Sequence, residues 1–116
     1  MEYAVERKQG VVRLQVRGDL WGDVDTYALK TEVSRWLQTG EKRFLIDLGG
    51  GLLNSTGIGV LVAIVVGVRR AGGALEICQL GDRARRALQV AGVLSLFEIH
   101  PSCPGAQPPQ GADVAA

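Results

Sequence analysis

Cysteine, histidine and aromatic residues are scarce in this 116-residue chain, which has two Cys, one His and only 5% Phe, Trp and Tyr. Cys78 and Cys103 form no Cys-x-x-Cys pair and have no pair of His residues beside them. A structural zinc site takes about four ligands at short spacings, so no metal is expected. A small secreted scaffold would be richer in cysteine, so both thiols are expected to be reduced, in an intracellular, cytoplasmic protein. Charge of one sign is also lacking. Thirteen Lys and Arg against twelve Asp and Glu leave a formal net charge of +1, which argues against a nucleic-acid partner. Glu2, Glu6, Arg7 and Lys8 make the first ten residues unlike a signal peptide. The uncharged, almost wholly apolar run from Gly57 to Val68 ends at Arg69-Arg70. It falls short of the roughly 20 residues that span a membrane, so a buried helix is predicted and membrane insertion is not.

The catalytic inventory is equally thin. A Ser-His-Asp arrangement would need His100 near Ser55, yet His100 directly precedes Pro101 at the edge of a Pro-rich segment. Gly49-Gly50-Gly51 is followed by no Gly-Lys-Ser/Thr, and Gly57-Ile58-Gly59 lacks the third glycine of a dinucleotide fingerprint. Asp47 lies where a receiver domain carries its phospho-acceptor. The acidic pair after the first strand is missing, however, and no Lys lies beyond Lys42. The chain is therefore expected to be a non-enzyme without a cofactor.

What is present is a single domain with 47% hydrophobic residues and sixteen glycines. Val12, Leu14 and Val16 alternate with Arg13, Gln15 and Arg17, the period of a half-buried strand, and Gln9-Gly10 predicts a hairpin to the strand before it. Asp23 is a candidate N-cap for a helix over Val24 to Gln38, with Leu29, Val33, Trp36 and Leu37 on one face. Phe44 to Leu48 and Ala74 to Leu80 read as buried strands. A helix from about Thr56 to Arg70 lies between them. Asp82 is taken as the cap of a basic amphipathic helix with Ala84, Ala87, Leu88 and Ala91 inward. Arg83, Arg85 and Arg86 are read as its solvated face. Leu96 to Ile99 closes the pattern as a short strand. The order β-β-α-β-α-β-α-β predicts an α/β domain with a mostly parallel sheet of about four or five strands and an antiparallel N-terminal edge. Residues 1–100 should form this domain, and 101–116, rich in Pro and Gly, a flexible tail.

The stretch from Asp47 to Gly59 is a strand leading through a glycine loop into a helix. Ser55 and Thr56 stand where that helix starts, among unpartnered main-chain N–H groups and at the positive end of the dipole. A phosphate on Ser55 would be stabilised there. The plain alternative is that Ser55 or Thr56 only caps the helix. Beyond the start, Ile58, Leu61, Val65 and Val68 are assigned to the core. Gly59, Ala63, Val66, Gly67 and Arg70 lie opposite, small and mostly apolar where a solvated helix would carry charges.

Phe44-Leu45-Ile46-Asp47-Leu48 followed by Asn54-Ser55-Thr56-Gly57-Ile58-Gly59-Val60-Leu61 resembles the signature of STAS domains, the anti-sigma-factor antagonist family. Gly18-Asp19-Leu20, Arg70-Ala71-Gly72-Gly73, Ala91-Gly92-Val93 and Leu96-Phe97 match in order, so the resemblance covers Val11 to Ile99. It implies the STAS fold and a protein-binding function. A GHKL-type serine kinase that is also the anti-sigma factor would phosphorylate Ser55, with Thr56 as a secondary acceptor. The unphosphorylated form would sequester that kinase and release a sigma factor, and a phosphatase would reset the switch. Thr56 is assigned as the helix cap. Asp19, Asn54, Gly57 and Gly59 would shape the loop, and Trp21 would lie near Ser55. Ile58, Val60, Ala63, Val66 and Gly67 would touch the partner. Asn54 stands where antagonists usually carry Asp. It keeps a capping oxygen and removes a negative charge beside Ser55. A stressosome-type scaffold that forms homo- or hetero-oligomers with other STAS proteins, or a cytoplasmic STAS subunit of a lipid ABC transporter, are the alternatives.

Overall fold

The computed structural model describes residues 1–100 and Cys103, so apart from Cys103 the expected tail, 101–116, lies outside the described residues. Two strands, β1 (Glu2–Lys8) and β2 (Val11–Arg17), form the predicted hairpin. Gln9 and Gly10 both take positive φ, 55° and 78°, as a two-residue turn of the matching twist requires. Helix α1 (Val24–Gln38) starts where Asp23 accepts a hydrogen bond from the Thr26 N–H at 2.9 Å. Strand β3 (Arg43–Asp47), helix α2 (Ser55–Arg70), strand β4 (Ala74–Cys78), helix α3 (Asp82–Val90), a 3₁₀ turn (Leu94–Leu96) and strand β5 (Glu98–His100) follow.

The sheet order is β1-β2-β3-β4-β5, with β1 antiparallel to β2 and every other pair parallel. Each crossover from β2 onward moves one strand in the same direction. Right-handed connections then place α1, α2 and α3 on one face. Alternation along the strands sends Val12, Leu14, Val16, Phe44, Ile46, Leu75 and Ile77 into a core shared with Leu29 and Val33 of α1 and Leu61, Ile64, Val65 and Val68 of α2. Leu88 of α3 joins the same core. The alternate residues point to the other face, where Gln15, Asp47, Cys78 and His100 stand in one register row across β2 to β5.

Three expectations change. Gly81, not Asp82, is the N-cap of α3, and no side chain caps it; Asp82 is the first helical residue, and Ala91 is exposed beyond the helix end. The last strand begins at Glu98 because Leu94 to Leu96 wind into the 3₁₀ turn. The thiols are not free: Cys78 and Cys103 are disulfide-bonded, with Cα atoms 5.0 Å apart. Strand β5 runs beside β4 with His100 opposite Cys78, so a residue shortly beyond β5 is placed near Cys78. Sequence separation alone does not reveal that return. No helix among the described residues is long and apolar enough to cross a membrane.

Candidate functional site

Two loops at the C-terminal ends of β2 and β3 build the site. The segment 18–23 lies against the segment 48–54 through a short parallel bridge, Leu20 with Leu53. The Leu20 N–H donates to the Leu52 carbonyl at 2.9 Å, and the Asn54 N–H donates to the Leu20 carbonyl at 3.3 Å. Asp19 accepts from the Leu52 N–H at 2.8 Å, so its carboxylate shapes the loop. Glycine is required where these backbones meet. A Cβ on Gly57 would fall 2.1 Å from the Leu20 carbonyl oxygen, and one on Gly51 would fall 2.2 Å from that of Gly18.

The start of α2 has a different cap from the one expected. Asn54, not Thr56, is the N-cap: its side-chain oxygen accepts from the Gly57 N–H at 2.8 Å. Its side-chain nitrogen donates to the Trp21 carbonyl at 2.9 Å, tying the two loops together. Asn, Ser and Thr are all competent caps and stand in a row, so the tie to Trp21 and the extended backbone of Asn54 decide between them. Ser55 and Thr56 are therefore the first helical residues, and both are exposed. Thr56 abuts Gly22, where an added Cβ would lie 2.6 Å from its methyl carbon. No acidic residue occupies the first turn of α2.

The faces of α2 are partly reassigned. Gly57, Val60, Leu61, Ile64, Val65 and Val68 form the buried stripe. Val60 is 5% exposed and belongs to the core, so it is not available to a partner. Its position three residues after Gly57 and four before Ile64 puts it on the inward stripe. Ile58, expected in the core, is half-buried and faces a groove beside α3. Val66 and Gly59 are exposed, Ala63 and Gly67 half-buried. Gly59 is a helical residue with open space at its Cβ position, so it plays no part in the loop.

Leu53, Asn54, Ser55 and Ile58 line one side of that groove, and Arg83, Arg86, Ala87, Val90 and Ala91 line the other. Arg83, Arg85 and Arg86 are all exposed, as a solvated face requires, and Arg83 and Arg86 in addition line the groove that Ser55 lines. The spacing of three residues, on a helix starting at the same end of the parallel sheet as α2, was the available signal. Val90 is exposed on the groove, and Trp21, Val24 and Tyr27 are exposed around the start of α1. Asp47 is buried at the end of β3, where it takes the Arg13 guanidinium at 3.3 Å and the Gly49 N–H at 2.9 Å. Its carboxylate thus serves the loop as a fastening.

An apolar strand, a clamped glycine loop and an exposed Ser at a capped helix start define a class of domain, and the family comparison agrees. The chain belongs to the STAS domain family, whose model matches residues 2–106. BtrV of Bordetella bronchiseptica, named as an anti-sigma factor antagonist, is 29% identical over 72 residues, covering 61% of this chain and 62% of that protein. The chain thus spans less than two thirds of that relative's length. Among solved structures, a protein of Thermotoga maritima described as an anti-sigma factor antagonist superposes with a TM-score of 0.77 at 19% identity, over 86% of each chain. An anti-sigma factor antagonist from Mycobacterium paratuberculosis gives 0.70 at 24%, over 87% of this chain and 86% of that one. The unphosphorylated form of SpoIIAA gives 0.70 at 14%, over 98% and 96%. At these identities the structures speak for the fold.

Proposed function

We propose that this chain is a non-enzymatic, phosphorylation-switched binding module, an anti-sigma-factor antagonist of the cytoplasm. Unmodified, it docks an anti-sigma factor that is also a GHKL-type serine kinase, and so frees a sigma factor. Phosphorylation of Ser55 ends that contact, and a phosphatase restores it. The names of the relatives support this reading. The observation that carries it is the exposed Ser55 hydroxyl at the uncharged start of α2, in one groove with Arg83 and Arg86.

The chemistry follows from charge. Two arginines beside half-buried Leu53 and Ile58 suit a partner segment with acidic and apolar side chains. A phosphate on Ser55 brings about −1.5 to −2 charge, enough to offset both guanidinium groups. It would also be held by the free N–H groups of the first turn of α2. The groove would then be occupied and its positive field cancelled, so an acidic partner loses its counterpart with the fold unchanged. Trp21, Val66, Ala63 and Gly67 would extend the contact area beyond the groove. Residues 1–100 would act as the binding domain.

Intact-mass analysis after incubation with the cognate kinase and ATP tests this. One added phosphate on the wild type and none on Ser55→Ala is expected. Equal phosphate on both, or none on either, contradicts the switch. In light scattering, a mass many times that of the chain points instead to a stacked scaffold. Co-purification with a transporter ATPase subunit points to a lipid transporter.

A further inference from the structure

Cys78 and Cys103 lie outside the groove, and the switch described above does not use them. Cys78 is fully buried at the end of β4, in register between Asp47 of β3 and His100 of β5. Cys103 is half-buried, with its Sγ bonded to that of Cys78. One carboxylate oxygen of Asp47 and the two sulfurs all lie within 4.8 Å of one another. A cation would have to compete there with the Arg13 guanidinium, 3.3 Å from the Asp47 carboxylate, and the sulfurs are already joined. The cluster is therefore suited to thiol chemistry rather than to a metal.

The bond adjoins the hydrogen bonds that hold the first half of the site loop. The Cys78 carbonyl accepts from the Leu48 N–H at 3.0 Å, and the Gln79 carbonyl accepts from the Gly50 N–H at 2.9 Å. Gln79 is held at φ 53°, a left-handed conformation that few non-glycine residues adopt. On its other side Asp47 accepts the Gly49 N–H. The sulfur pair and the loop thus share the end of β4.

We propose that Cys78 and Cys103 form a reversible thiol–disulfide modification site, set by a small-molecule thiol/disulfide couple, and that the oxidised form holds residues 48–52 of the site loop more tightly than the reduced form. The thiolate of the reductant attacks the Sγ of half-buried Cys103, forms a mixed disulfide there and expels Cys78 as a thiolate. A second reductant thiolate attacks the outer sulfur of the mixed disulfide and releases Cys103. The balance is one protein disulfide plus two thiols giving two protein thiols plus one small disulfide, and oxidation is the reverse. Re-oxidation joins residues separated by 25 positions and so restricts the unfolded chain.

The test equilibrates the full chain in glutathione buffers of rising reduced-to-oxidised ratio, alkylates free thiols, and reads intact mass together with amide exchange. The disulfide is expected to pass from nearly complete to nearly absent across the series. Exchange at Leu48 and Gly50 should rise about tenfold with reduction. Cys103→Ala removes only a half-buried side chain and should exchange like the reduced wild type at every ratio. Cys78→Ala should accumulate one glutathione on Cys103. A disulfide that persists at every ratio overturns the reversible site, as do thiols alkylated in every buffer. Loop exchange independent of the ratio overturns the coupling to the loop.

Discussion

Helices α1 and α2 begin side by side, in contact through Gly22 and Thr56, and they begin differently. At α1 the cap is the carboxylate of Asp23, which accepts from the Thr26 N–H at 2.9 Å and the Thr26 hydroxyl at 2.6 Å, with Asp25 following in the first turn. Hydrogen bonds from Thr26 and then from the Met1 amino group hold the Asp23 carboxyl down at about 2. Negative charge at that end is favoured by the helix dipole. At α2 the cap is the neutral amide of Asn54, and the first turn carries no acid. The first helix start is electrostatically satisfied. The second is satisfied in geometry only, which leaves room for one negative charge beside an exposed hydroxyl. That difference separates a structural helix start from one suited to modification.

The largest effect expected from breaking this arrangement comes from the backbone contact that seats α2. Gly57→Ala puts a Cβ 2.1 Å from the Leu20 carbonyl oxygen and should cost about 3 kcal/mol in urea unfolding. The charges of the groove come next. Arg83→Ala combined with Arg86→Ala should weaken partner binding about tenfold in calorimetry while leaving the melting temperature within a degree or so. The two caps should then diverge with pH. Asn54→Ala should cost about 1 kcal/mol at any pH. The Asp23 contribution is fully present above the ordinary carboxyl value of 3.8 and fades as pH falls towards about 2. An acid titration of stability should therefore lose that feature in Asp23→Ala and keep it in Asn54→Ala. The smallest change is Gly59→Ala, two residues from Gly57 but facing open space. It should stabilise the domain by about 0.5–1 kcal/mol.

The elements legible in the sequence carry a local, repetitive signal. The alternation of Val12, Leu14 and Val16 located β2, and Asp23 with the apolar positions after it located α1 from Val24 to Gln38. The hairpin followed from Gln9-Gly10. The features that are not legible depend on neighbours distant in sequence. Asn54 is selected as the cap by a hydrogen bond to Trp21, 33 residues away. Val60 is interior because the stripe through Gly57 docks on Leu20. Arg83 and Arg86 belong to the groove only because α3 lies beside the start of α2. The Cys78–Cys103 bond forms because β5 carries the chain back along β4.

In the proposed function a partner docks at the start of α2, and charge on Ser55 dislodges it. Calorimetric titration of the cognate anti-sigma kinase with the unmodified chain, and with the same chain phosphorylated on Ser55, measures this directly. The prediction is binding weakened about a hundredfold or more by the single phosphate. Equal or tighter binding of the phosphorylated chain would contradict it.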